Sequence, residues 1–370
     1  VPREEERRHE EKDMPYAIRN RNQHLSNDGT PKRILALDGG GLRGIFSLGV
    51  LQEVERILRE RHGGAEDFRL CHYFDLIAGT STGAIIAATL ALGWRVEEIR
   101  QKYMSLGKKV FAKSLLRHGL MRAKYDKEKL NQELKKVYGK NTTLGDSKIQ
   151  TGLLIMTKRL DTGSPWPITN NPFGKYYNHR PGGVAGNSQY PLWKVVRAST
   201  AAPSYFDPEK IEIRGRSDLK SLKGRFVDGG ISPFNNPALQ ALMFATMEGY
   251  RLNWETGPDK LLLVSVGTGA TDPKVKKSIS ASGVAVKSFL SLMDDCAALQ
   301  EIILQWISSS QTASVIDRDL GDLRNDMLLK TPVLTYLRYN ADLREKEVTK
   351  LNPDMKDSDK IKSLSAMDAP

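Results

Sequence analysis

Residues 74–92 read FDLIAGTSTGAIIAATLAL. An apolar run (FDLIA) enters Gly79-Thr80-Ser81-Thr82-Gly83, and a second apolar run (AIIAATLAL) leaves it. A G-x-S-x-G between a strand and a helix is the context of a nucleophile elbow. There a sharp turn presents a serine oxygen at the top of a sheet, and small neighbours are needed because the turn is crowded. Ser81 also falls at a helix N-terminus, where free N–H groups and the dipole favour developing negative charge. Two other readings compete. One is a structural serine in a glycine turn. The other is a membrane span over Leu76–Trp94, nineteen residues without a charge and with Gly79/Gly83 in G-x-x-x-G spacing. Three Gly, three Thr and one Ser match a hydrocarbon core poorly, which favours strand, turn and helix.

Working outward, RILAL (33–37) predicts a buried strand and Gly39–Gly44 a turn. Ile45–Arg61 carries apolar residues at three-and-four spacing, the period of an amphipathic helix. Helices are expected over Ala84–Leu92 and Val96–Leu106, and core strands over Lys148–Thr157 and Lys260–Val266. Gly163–Gly186, rich in Pro, Gly, Asn and Tyr, predicts a long surface loop. Strands alternating with helices predict an α/β sheet covered on both faces. The expected organisation is a flexible charged arm over 1–30, a catalytic domain over 31–270 and a C-terminal helical extension over 271–370. That extension has a helix near Val284–Ile307 and an apolar strand near Val333–Tyr339.

DGGGLRG (38–44) fits G-x-G-x-x-G, the dinucleotide fingerprint. That reading needs an acidic residue at the end of a second strand about twenty residues on. The chain instead has ILRERHGG there, the end of a helix, with Glu60 away from any strand end. Consecutive glycines also allow successive N–H groups to point into one concavity, a nest for a phosphate or an oxyanion. A serine nucleophile needs a base as well. None of the six histidines lies in a strand-end motif; His72 is the best placed, and a structural role suits it better. GRFVDGG (224–230) sets Asp228 at a strand end beside two glycines, where a carboxylate in a dry pocket can act as base. An ordinary Asp-Gly turn is the competing reading.

The 370 residues are 39% apolar and 27% charged, an ordinary globular balance, with a formal charge of +12. Cys71 and Cys296 make no disulfide framework or metal spacing, so a reducing cytoplasm is the expected compartment. VPREEERRHEEKD shows no apolar signal core. Between Arg100 and Lys140 thirteen basic residues outnumber three acids. Such a block suits an anionic partner, whether membrane surface, nucleotide or nucleic acid, or is a solvated helical face. No zinc-finger spacing, basic zipper or RNA-binding signature supports nucleic acid. Lys108, Lys109 and Lys113, with Phe111, Leu115, Leu116 and Met121, are candidates for membrane contact; equally, those apolar residues are core.

Taken together, DGGGLRG, GTSTG and DGG, in this order and on these elements, resemble the patatin-like phospholipases. RASTAAPSYFDP (197–208) and VSVGTG (264–269) agree with that resemblance. It implies a three-layer α/β/α sandwich around a mostly parallel sheet. It makes Ser81 the nucleophile and Asp228 its partner, and assigns Gly39, Gly40, Gly41, Leu42 and Arg43 to the oxyanion loop. The implied activity is hydrolysis of fatty acyl esters in membrane phospholipid, without metal or other cofactor, by a cytoplasmic protein acting at the inner face of the membrane. Bacterial members include anti-phage effectors switched on by cyclic dinucleotides. The cluster Arg214, Arg216, Lys220, Lys223, Arg225 and the C-terminal hundred residues are compatible with such a sensor. A homo-oligomer, and a catalytically inactive lipid- or nucleotide-binding module, are further expectations to test.

Overall fold

Strand β1 (Lys32–Leu37) sends its side chains alternately into two buried layers: Leu35 and Leu37 into one, Ile34 and Ala36 into the other. A strand buried on both faces reads as a continuous apolar run and belongs at the centre of a covered sheet. The computed structural model describes residues 17–110, 127–178, 185–203, 206–213, 222–270 and 281–353. Around β1 lie β2 (Leu76–Thr80), β3 (Gly152–Arg159), β4 (Pro165–Thr169), β5 (Glu209–Ile213), β6 (Leu222–Asp228), β7 (Leu261–Val266) and β8 (Thr335–Tyr339). They form one eight-stranded sheet in the order β5-β6-β3-β2-β1-β7-β8, with β4 also on β3. The pairs β1–β2, β1–β7, β2–β3 and β7–β8 are parallel, whereas β4, β5 and β6 pair antiparallel.

The helices are α1 (Arg21–Leu25), α2 (Gly44–Arg61), α3 (Leu70–Tyr73), α4 (Thr82–Ala91), α5 (Val96–Val110), α6 (Lys127–Tyr138), α7 (Leu192–Ser199), α8 (Ala238–Thr246), α9 (Ala281–Trp306) and α10 (Glu345–Leu351). One face of the sheet is covered by α2, α4, α5, α6 and α7, through residues such as Leu48, Ile86, Ile99, Leu134 and Val195. The other is covered by α1, α8 and the end of α9, through Leu25, Phe244 and Leu304. The architecture is the expected three-layer sandwich. Among the described residues no helix is long and apolar enough to cross a membrane. The charge-free stretch from Leu76 divides into a five-residue strand and a ten-residue helix.

Two expectations meet a different arrangement. From Arg19 on, the N-terminal segment is docked. Asn20 caps α1, His24 and Leu25 are buried, and Asp75 receives Arg19 Nη2 at 2.7 Å and His24 Nδ1 at 2.8 Å. Residues 1–16 lie outside the described residues. The Gly163–Gly186 loop contains β4, whose prolines suit an edge strand because they withhold N–H groups from the ladder. The C-terminal segment carries the strand expected near Val333–Tyr339: β8 extends the central sheet beside β7.

Candidate active site

The pairing along β3 brings two distant motifs together. On one edge of β3, Met156 pairs with Thr80, the last residue of β2. The next residue, Thr157, pairs with Asp228, the last residue of β6. Because β2 runs parallel to β3 and β6 antiparallel, their C-terminal ends meet head to head on that edge. Ser81 Oγ accordingly donates to Asp228 Oδ2 at 2.6 Å.

The elbow is built from contacts its glycines permit. A Cβ on Gly79 would lie 2.3 Å from Gly83 O, and one on Gly83 would lie 2.1 Å from Leu37 O. Only glycine at both positions lets the turn close against β1. Ser81 has φ 54° and ψ −119°, a positive-φ conformation that non-glycine residues rarely adopt, with strain of about 1–3 kcal/mol. The surroundings hold it there: Ser81 N–H donates to Ser199 Oγ at 2.8 Å, and Ser199 Oγ donates to Met156 O at 2.6 Å. Ser199 ends α7, within the stretch RASTAAPSYFDP.

Asp228 is buried. Its Oδ1 accepts the Gly230 N–H at 2.8 Å, and its own N–H donates to Ala201 O at 3.1 Å. Burial pushes the carboxyl up to about 6, against the hydrogen bonds from Ser81 and Gly230 and the charge of Arg197. A carboxylate that must be ionised to accept a proton limits the rate on the acid side. For ester turnover, kcat/KM is expected to fall about tenfold per pH unit below pH ~6 and to level off above it. A profile flat from pH 4 to 8 contradicts Asp228 as the base.

The glycine loop lies across the mouth of the elbow, where Gly41 (φ 58°) opens a 3₁₀ turn over Gly41–Arg43. Gly41 O accepts the Thr82 hydroxyl at 2.7 Å and the Tyr103 hydroxyl, and those two hydroxyls are 2.8 Å apart. Thr268 Oγ1 donates to Gly39 O at 3.0 Å. The loop residues differ in what they can offer an oxyanion. The Gly39 N–H is taken by Asn235 O (3.1 Å) and the Arg43 N–H by Gly40 O (3.2 Å). This narrows the expected donor set, because a committed N–H cannot also receive a developing charge. Among the described residues the N–H groups of Gly40, Gly41, Leu42 and Thr82 have no acceptor. Gly41, Leu42 and Thr82 line the same cleft as Ser81 and Asp228. Tyr103→Phe removes one of two hydroxyls on Gly41 O, with an expected cost near 1 kcal/mol of stability and a several-fold loss of kcat. Unchanged kcat in that variant would mean that Thr82 alone orients the turn.

The cleft spans about 660 Å³ counted to its open mouth. Leu42, Ile85, Leu106, Leu130 and Phe206 give it an apolar wall beside the two polar groups. No histidine among the described residues hydrogen-bonds Ser81. His72 stands before β2, at the far end from Ser81, with Nε2 3.2 Å from Gln150 Oε1. Arg214, Arg216, Lys220 and Lys113 lie outside the described residues. Lys108 and Lys109 fall in α5, and their side chains are likewise not described. The sequence pattern alone missed Tyr103, Ser199, Asn235 and Thr268, which act through hydrogen bonds between segments far apart in the chain.

A serine on a strand-to-helix elbow, hydrogen-bonded to a buried aspartate and facing a glycine loop, has the arrangement expected of a nucleophilic serine site. The sequence pattern of the family described as patatin-like phospholipase matches residues 35–242, and the chain belongs to that family. It is 34% identical over 230 residues to the cGAMP-activated phospholipase of Vibrio cholerae, covering 60% of this chain and 58% of that protein. To the cGAMP-activated phospholipase of Escherichia coli strain TW11681 it is 28% identical over 253 residues, covering 67% of this chain and 65% of that one. The chain thus spans between 58% and 65% of the length of these two relatives. A cUMP-AMP-activated phospholipase of Escherichia coli is 28% identical over 319 residues, covering 84% and 86% of the two chains.

Proposed function

We propose that the chain is a lipid acyl hydrolase of the phospholipase A type, cleaving fatty acyl esters of membrane glycerolipids through an acyl-enzyme on Ser81. The observation that carries this reading is the 2.6 Å bond from Ser81 Oγ to Asp228 Oδ2 at the apolar cleft. Ser81 Oγ attacks the ester carbonyl while its proton passes to Asp228 Oδ2. The oxyanion is held by N–H groups of Gly40, Gly41, Leu42 and Thr82, each typically worth about 3–4 kcal/mol of barrier. Collapse expels the lysolipid alkoxide, which takes the proton from Asp228. Water then attacks the acyl carbon, gives a proton to Asp228, and releases the fatty acid as Ser81 Oγ recovers its hydrogen. The wall of Leu42, Ile85, Leu106, Leu130 and Phe206 suits an acyl chain. The enzyme works in the cytoplasm, at a membrane surface, and the basic block over 100–140 favours an anionic one.

A second reading adds control by a cyclic dinucleotide, as in an anti-phage effector that degrades the host membrane. It is supported by the three relatives above, which are described as cGAMP-activated or cUMP-AMP-activated phospholipases. One of them aligns over 84% of this chain, well beyond residues 35–242. The test is fatty-acid release from mixed phospholipid vesicles by the wild-type chain, alone and with a panel of cyclic dinucleotides. Unaided release supports a simple hydrolase, and release only with a nucleotide supports the gated effector. Vesicle binding without release under every condition moves the reading to a binding module.

A further inference from the structure

Asp38 roots the glycine loop to the end of β1, and it is held by a residue from the far end of the chain. Arg338, on β8, grips its carboxylate with both ends of the guanidinium: Nη1 to Oδ1 at 2.9 Å and Nη2 to Oδ2 at 2.6 Å. Arg338 Nη1 also donates to Ser265 Oγ at 2.7 Å. Both side chains of the pair are 7% exposed, so neither charge has water to fall back on. The same stretch braces the neighbouring turn: Gly267 N–H donates to Tyr339 O at 2.8 Å, and Gly269 N–H donates to Asn340 Oδ1 at 2.8 Å. Residue Gly269 in turn offers its carbonyl to Arg43 Nη1 at 3.4 Å.

Three consecutive glycines make a loop with much backbone freedom to lose, so its donors need a fixed root. We propose that Arg338 is a positioning residue for the reaction: by clamping Asp38 it fixes where the N–H groups of Gly40–Leu42 point, without itself meeting substrate. The catalytic unit therefore extends through β8, a strand beyond residues 35–242. This inference rests on the hydrolase reading above.

The test uses the full chain and a soluble short-chain ester, with active sites counted by complete phosphonylation of Ser81 with a fluorophosphonate. Arg338→Met is expected to lower kcat per titrated site by about 100-fold, as loss of an oxyanion donor does, with KM within about twofold. Arg338→Lys recovers part of the rate, and Asp38→Asn falls in the same range as Arg338→Met. The double variant is no slower than Arg338→Met, because both changes break one contact. Leu304→Ala, buried on the opposite face of the sheet, controls for lost stability and is expected to keep its kcat per site. Arg338→Met turning over at the wild-type rate per site overturns the proposal. Where that variant yields no folded protein, Asp38→Asn at the wild-type rate does the same. A wild-type chain inert to both phosphonate and ester removes the hydrolase reading first, a result distinct from an active wild type with indifferent variants.

Discussion

Ser81→Ala is expected to lower ester and phospholipid turnover on the order of 10⁶-fold, the scale set by removing a serine nucleophile from its charge system. The backbone need not respond. Ser81 N–H still reaches Ser199 Oγ, and Gly79 and Gly83 still allow the turn to close. Alanine inherits the positive φ of 54°, so the strain is kept and thermal unfolding shifts by only a few degrees. The cleft keeps its apolar wall, and vesicle binding is therefore retained. The measurement is fatty-acid release beside vesicle co-sedimentation. Release by Ser81→Ala at the wild-type rate would remove Ser81 from the chemistry.

Asp228→Asn separates activity from stability, which move in opposite directions. The amide keeps the shape: its oxygen accepts the Gly230 N–H and its NH2 donates to Ser81 Oγ, but it cannot take the serine proton. The expected loss in kcat is on the order of 10⁴-fold, as for a misprotonated charge partner in serine enzymes. Stability follows from linkage. The Asp228 carboxyl is raised from 3.8 to about 6 in the folded chain, chiefly by burial. A raised group contributes stability that is full below its unfolded value and is lost as pH rises through its folded value. The wild type thus loses stability between pH ~4 and ~6 that the amide does not lose. At pH 8 the variant is expected to be more stable by roughly 2–3 kcal/mol, with the gap vanishing near pH 4. Denaturant unfolding at pH 4, 6 and 8 measures it. A variant less stable at pH 8 than at pH 4, relative to wild type, would mean that Asp228 is not held as a costly buried charge.

Much of this site was legible because its signals are local. G-x-S-x-G needs only its own flanks to be recognised, and the β2–α4 elbow falls where FDLIA and AIIAATLAL place it. Asp228 at a strand end was equally local. What escaped depends on register. Nothing near Thr80 or Asp228 in the sequence says that they pair with consecutive residues of β3, and that adjacency is what makes the dyad. Tyr103 and Thr268 look like ordinary helix and loop residues until Gly41 O and Gly39 O receive their hydroxyls. Strand β4 was hidden by Pro165 and Pro167, since proline lowers any strand expectation from pattern alone, and only an edge position tolerates it. The charged opening of the chain masked Asn20 and Gln23, a capping pair that starts a docked helix.

In the proposed reaction Ser81 carries the acyl group while Asp228 moves its proton. The most direct measurement is intact-protein and peptide mass spectrometry of the chain quenched during turnover of a phospholipid or short-chain ester. A fatty acyl mass is expected on the peptide containing Ser81, absent in Ser81→Ala and strongly diminished in Asp228→Asn. Turnover at full rate with no acyl mass on Ser81, or an acyl mass on another residue, would contradict Ser81 as the nucleophile.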